Sequence, residues 1–67
     1  MITITVNGDE RQLNNPKTLS EFLAECGIPE RIVVIEHNGV IIARPKFGET
    51  TIQEGDNLEI VQMMAGG

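Results

Sequence analysis

The sequence has no tryptophan and no tyrosine, and its only aromatics are Phe22 and Phe47. A core built from it must therefore be aliphatic. There is one cysteine, Cys26, so no disulfide can form within the chain, and a reducing compartment is the expected setting. Lys and Arg number 5 against 10 Asp and Glu, a net charge of −5. Binding along a nucleic-acid backbone needs clustered cations, which argues against that function class. The acidic balance suits solubility and basic protein partners instead. No apolar run has the length needed to cross a bilayer. Met1-Ile2-Thr3-Ile4-Thr5 has neither the positive start nor the long apolar stretch of a signal peptide. Together these absences predict a cytoplasmic protein that binds neither nucleic acid nor membrane.

The chemistry of an enzyme is also missing. His37 stands beside a turn with no second His or Cys at ligand spacing, so the sequence predicts no metal site. Glu21, Glu25, Glu30 and Glu36 are scattered and form no acid–base pair. Gly55-Asp56 lacks every other part of a phosphate cradle. Cys26 falls on an apolar helix stripe, where a thiol packs as a small hydrophobe. With no bound cofactor and no catalytic residues of its own, the chain is expected to be a substrate of enzymes.

What is present is a compact pattern. Sixty-seven residues, 40% of them hydrophobic, make one domain near the lower size limit for a core without metals or disulfides. Ile2, Ile4 and Val6 alternate with threonine, the period of a strand with one buried face. Asn7-Gly8-Asp9 signals a turn, and Arg11 to Leu13 returns as a second strand. Asn14-Asn15-Pro16 breaks the pattern. Thr18-Leu19-Ser20-Glu21 then has the form of a capping box. The helix it opens carries Leu19, Phe22, Leu23 and Cys26 on one stripe, and it should end at Gly27 before Pro29. Ile32 to His37 and Val40 to Ala43 read as strands joined by Asn38-Gly39. Arg44-Pro45-Lys46-Phe47-Gly48 reads as a loop or tight turn, because Pro45 cannot donate to a ladder. After Ile52 and the turn Glu54-Gly55-Asp56-Asn57, Leu58 to Met63 forms a last strand with Leu58, Ile60 and Gln62 on one face. Val61 and Met63 then lie on the other face, where apolar side chains either are covered by a neighbour or form a docking patch.

Two sheet-forming pairs, one helix and a final strand predict an α+β domain: a mixed sheet of about five strands packed on one helix. That order is the β-grasp (ubiquitin-like) arrangement, in which the first and last strands run in parallel at the sheet centre. The single domain spans 1–67, with 64–67 expected as a flexible C-terminal tail. Met64-Ala65-Gly66-Gly67 follows an apolar strand directly, and four extended residues reach at most ~14 Å. Glycine permits close approach and unusual φ, so such a tail suits a narrow active site closing on the Gly67 carboxylate.

Over its whole length the chain resembles the ThiS family, the sulfur carrier proteins of thiamine (thiazole) biosynthesis. The resemblance is carried by Asn38-Gly39 with the following apolar strand, Arg44 and Phe47; by Ile52-Gln53-Glu54-Gly55-Asp56; and by Glu59-Ile60-Val61 with Ala65-Gly66-Gly67. It departs from the family pattern in having Ala43 before the arginine, where proline is frequent, and Phe47 where tryptophan is frequent. The resemblance implies that a ThiF-type enzyme adenylates the Gly67 carboxylate with ATP. A sulfur-donating persulfide protein would convert it to a thiocarboxylate, and thiazole synthase (ThiG) would take the sulfur. Gly66, Ala65, Met64, Met63 and Val61 would contact these partners, and the carrier alone would be a monomer. Three other functions fit the same tail or body: a carrier of the molybdopterin synthase small-subunit type, a ubiquitin-like protein modifier, and a plain interaction module.

Overall fold

The structure is a computed structural model and describes residues 1–63. Strand β1 (Ile2–Val6) buries Ile4 and Val6 on one face and leaves the threonines on the other, as its alternation requires. Asn7 and Gly8 form a two-residue turn with φ of 51° and 86°, the handedness that matches strand twist. Strand β2 (Asp9–Leu13) returns antiparallel, with Val6 opposite Asp9 and Ile2 opposite Leu13. It therefore starts two residues before the predicted Arg11, because so tight a turn brings Asp9 straight into register.

Directly after Pro16, an element absent from the sequence pattern appears. Strand β3 (Lys17–Thr18) pairs antiparallel with β6 (Thr51–Ile52), a separate two-stranded ribbon. Two residues are too few to show a period of two. Thr18 then caps helix α1 (Leu19–Cys26). Its hydroxyl accepts from the Glu21 backbone N–H at 3.1 Å, and the Glu21 carboxylate accepts from the Thr18 backbone N–H at 2.8 Å. Leu19, Phe22 and Leu23 are buried, and Cys26 is half-buried against the same core. The helix stops at Gly27, whose φ of 74° lets the next N–H, that of Ile28, bond back to the Leu23 carbonyl.

A short 3-10 turn, Glu30–Ile32, leads into β4 (Val33–His37), and Asn38-Gly39 turns the chain into β5 (Val40–Ile42). The segment predicted as a loop is a 3-10 helix, Arg44–Glu49, which takes Pro45 in its first turn. Proline suits that position, since its missing N–H has no intrahelical partner there. Phe47 projects from it into the core and is 1% exposed. Strand β7 (Asn57–Gln62) closes the fold and buries Leu58 and Ile60; Gln62, next in that row, is exposed.

The main sheet has the order β2-β1-β7-β4-β5, with β1 and β7 parallel and the other pairs antiparallel. This is the β-grasp topology. One sheet face packs on α1 and Phe47 around Ile4, Val33, Ile35, Ile52 and Leu58. Among the described residues no helix covers the other face. The assignment of 64–67 as a flexible tail lies outside the described residues.

A polar cluster fastens the entry of β7. Asp56 Oδ2 lies 2.7 Å from His37 Nε2 and accepts the Gln53 backbone N–H at 2.8 Å, while Oδ1 accepts from the Asn38 amide at 3.1 Å. Burial alone pushes the Asp56 carboxyl up. The hydrogen bonds from His37, Gln53 and Asn38, with the charge of His37, outweigh burial and hold the carboxyl below its ordinary range. A carboxyl depressed in the folded state contributes stability that is complete above the unfolded value of about 3.9 and is lost as pH falls through the folded value. Urea unfolding from pH 6 to pH 2 should therefore show the wild type losing its advantage over Asp56→Asn as the acid limb is entered. A pH-independent difference between the two would refute this assignment.

Candidate functional site

Of the site residues singled out by the sequence, Val61 and Met63 are described, and they lie at the exit of β7. Because β7 alternates, burying Leu58 and Ile60 turns Glu59 and Val61 to the uncovered face. Val61 is 60% exposed and Met63, just past the strand, 49%. Of the two alternatives for these side chains, cover by a neighbour does not occur among the described residues. Val61 lies directly opposite the half-buried Val34 of β4, and Ile41 of β5, 66% exposed, is one step away across Glu36. Glu36 and Glu59 face each other in the next row. Like charges directly across a ladder are unfavourable, and here they border an exposed apolar strip. The result is a partly apolar, acid-edged surface beside the end of β7.

Sequence patterning found Val61 and Met63 but not Val34 or Ile41. Both sit in apolar runs, Ile32-Val33-Val34-Ile35 and Val40-Ile41-Ile42, in which neighbouring residues face opposite ways and only pairing register tells the faces apart. The Met63 N–H donates to the Ile32 carbonyl, so β7 remains attached to β4 as far as the last described residue. Met64, Ala65, Gly66 and Gly67, the other predicted site residues, lie outside the described residues.

The remaining candidates are placed elsewhere. His37 is engaged by Asp56, at the opposite end of β7 from Met63. Cys26 borders a shallow cleft between α1 and β2 with Arg11, Lys17 and Phe22. The Arg11 guanidinium stacks 5.3 Å from the Phe22 ring centroid, and Lys17 pairs with Glu25 at 2.7 Å. Neither cation is aimed at the thiol by any contact, and the cleft gathers no nucleophile–base pair. Among the described residues no group of His, Cys, Asp and Glu is arranged to hold a metal, and no helix is long and apolar enough to cross a membrane.

Comparison with known proteins decides the family. The match to the ThiS family covers residues 4–67, which includes both terminal glycines. The chain belongs to the ThiS family. Its sequence is 29% identical over 65 residues to the sulfur carrier protein ThiS of Bacillus subtilis, covering 96% of this chain and 98% of that one. It is 33% identical over 64 residues to a thiazole synthase of Paramagnetospirillum magneticum. There the match covers 96% of this chain but 20% of the relative, so the chain spans a fifth of that protein's length. A crystal structure of the thiamine biosynthesis protein ThiS from Geobacter metallireducens superposes with a TM-score of 0.84 at 29% identity, over 98% of this chain and 100% of that one. The Geobacter metallireducens protein thus shares the β-grasp body described above.

Proposed function

We propose that this protein is a sulfur carrier of thiamine biosynthesis that acts in the cytoplasm as a co-substrate of other enzymes. The observation that carries the proposal is the family match running through Gly67, on a fold whose central strand leads directly to that tail. A carboxylate is a poor electrophile because its leaving group would be oxide. Transfer of AMP from ATP to the Gly67 carboxylate, with release of pyrophosphate, supplies a good leaving group. The terminal sulfur of a persulfide then displaces AMP to give an acyl disulfide, and a thiol attacks the donor's sulfur, forming a new disulfide with it and releasing the thiocarboxylate. That group holds sulfur as an ionised nucleophile and keeps free sulfide out of solution. A ThiF-type enzyme would perform the adenylation. Thiazole synthase would accept the sulfur, a partnership supported by the stretch of thiazole synthases that this chain resembles.

The test is intact mass of the protein from its own cells, beside a version lacking Gly67. A species heavier by exchange of one oxygen for sulfur, mapped to the C-terminal peptide and absent from the deletion, is the expected result. The same spectrum shows whether Gly67 bears the free carboxylate. If neither the cellular protein nor one incubated with activating enzyme, ATP and a sulfur donor gains sulfur, the carrier function is wrong.

The uncovered sheet face would be the surface these partners dock on, through Val61 and Met63. Val61→Lys places a cation in an exposed position, so Tm should hold. The KM of the activating enzyme for the carrier should rise about tenfold, the size of a mid-range interface anchor. An unchanged KM would move the docking surface elsewhere.

A further inference from the structure

The parallel ladder between β1 and β7 is shorter than β7 needs. Its last paired residues are Val6 and Leu58, after which β1 turns away at Asn7 while β7 runs on through Gln62. Backbone groups of alternate residues point to the same flank, so Ile60 presents its N–H and C=O toward the strand that has just left. The Asn7 side chain stands in for that strand. Its Oδ1 accepts the Ile60 N–H at 2.7 Å, and its Nδ2 donates to the Ile60 carbonyl at 3.1 Å. The carboxamide thus repeats the donor–acceptor pair of a missing ladder residue, after the Asn7 backbone N–H has bonded to the Leu58 carbonyl at 2.8 Å.

The turn itself does not require this amide. At a φ of 51° glycine or aspartate would serve a two-residue hairpin as well. Glycine has no side-chain partner to offer, and aspartate offers acceptors only. Asparagine supplies both bonds. The second hairpin contains a matched case at the other end of the same strand. Asn38, also at positive φ, accepts the Asn57 N–H at 2.8 Å and donates to Asp56. One amide fastens the entry of β7 and the other its exit, and only the exit leads to the tail.

Resting on the carrier function proposed above, we infer that Asn7 is a positioning residue for sulfur loading: it holds the β1-side flank of β7 through Ile60 while β4 holds the other, so that the tail leaves from a base fixed on both sides. Without it, only β4 holds the strand beyond Leu58, and the activating enzyme must order the base as it binds. That cost falls on association and not on the adenylation step.

Asn7→Gly and Asn38→Gly are the paired test, since each keeps its turn and deletes one amide. With two hydrogen bonds lost, amide exchange at Ile60 should speed up about tenfold in Asn7→Gly and stay unchanged in Asn38→Gly. With a ThiF-type activating enzyme and ATP, the KM for the carrier should rise several-fold in Asn7→Gly with kcat held, and neither constant should move in Asn38→Gly. Faster exchange at Ile60 with an unchanged KM would reduce Asn7 to a structural role and overturn the inference. So would an equal rise in KM for both variants, which would report general loosening. Failure of the wild-type protein to be adenylated at all would instead remove the carrier function, and this inference with it.

Discussion

Gly66→Val is expected to lower kcat/KM for adenylation by about a hundredfold, with Tm unchanged. The size follows from geometry: displacing a reacting carbon by about 1 Å from its productive position costs roughly two orders of magnitude. A β-branched side chain both narrows the backbone's allowed φ and adds bulk where, on the proposed function, the activating enzyme would close around the carboxylate. Among the described residues the apolar cluster is built from side chains between Ile2 and Ile60, and glycine has no side chain to add to it. The measurement is pyrophosphate release at varied carrier concentration, with thermal unfolding run in parallel. Gly66→Ala should fall between the wild type and valine. A valine variant adenylated at the normal rate would mean that the tail does not enter a closed site, and a protein-interaction role for the sheet face alone would then be favoured.

Setting this beside Val61→Lys separates two stages of one encounter. On the proposed function, the sheet face would govern how tightly the body docks, whereas the glycines would govern whether the carboxylate reaches the chemistry. Val61→Lys should act on KM, and Gly66→Val chiefly on kcat. The division is possible because the described body is hydrogen-bonded to the end of its last strand: β7 is paired with β4 up to Gln62, and Met63 still bonds to Ile32.

Much of this body is legible in the sequence because its signals are local. The capping box at Thr18 and Glu21, the Asn-Gly turns and the alternation of Ile2, Ile4 and Val6 each fix a structure within a few residues. Leu58 and Ile60 announce the buried face of the last strand, and the same parity exposes Val61. What escapes the sequence depends on distant partners. Lys17 becomes a strand only because Ile52 lies opposite it. Val34 belongs to the exposed face only through its register with Val61. His37, without a ligand partner in sequence, finds Asp56 nineteen positions away. Asn7 reads as a turn residue, and its reach to Ile60 spans fifty-three positions. For the candidate site, sequence shows which residues end β7, while the surface around them is a product of sheet assembly.

Phe47 is the sharpest instance of distant context, and it sets the largest expected loss of stability. It lies in a segment whose proline and glycine suggest a surface loop, yet it is 1% exposed and belongs to the same core as Phe22, Leu19 and Ile52. At the borders of the short 3-10 helix around it, the Lys46 N–H donates to the Ala43 carbonyl at 2.8 Å and the Thr50 hydroxyl to the Lys46 carbonyl at 2.9 Å. The ring ties the segment into the core that it shares with α1. Truncating a buried phenylalanine to alanine costs about 3–5 kcal/mol. A 67-residue domain has roughly 3–10 kcal/mol in total, at the usual stability per residue. Phe47→Ala should thus remove about 30% or more of the folding free energy, and at the low end of the stability range it should unfold the protein at 25 °C. Phe47→Leu keeps most of the apolar volume and should cost far less. Urea unfolding followed by far-ultraviolet circular dichroism distinguishes the two, and a Phe47→Ala midpoint near the wild type's would mean that α1 and the sheet hold together without this anchor.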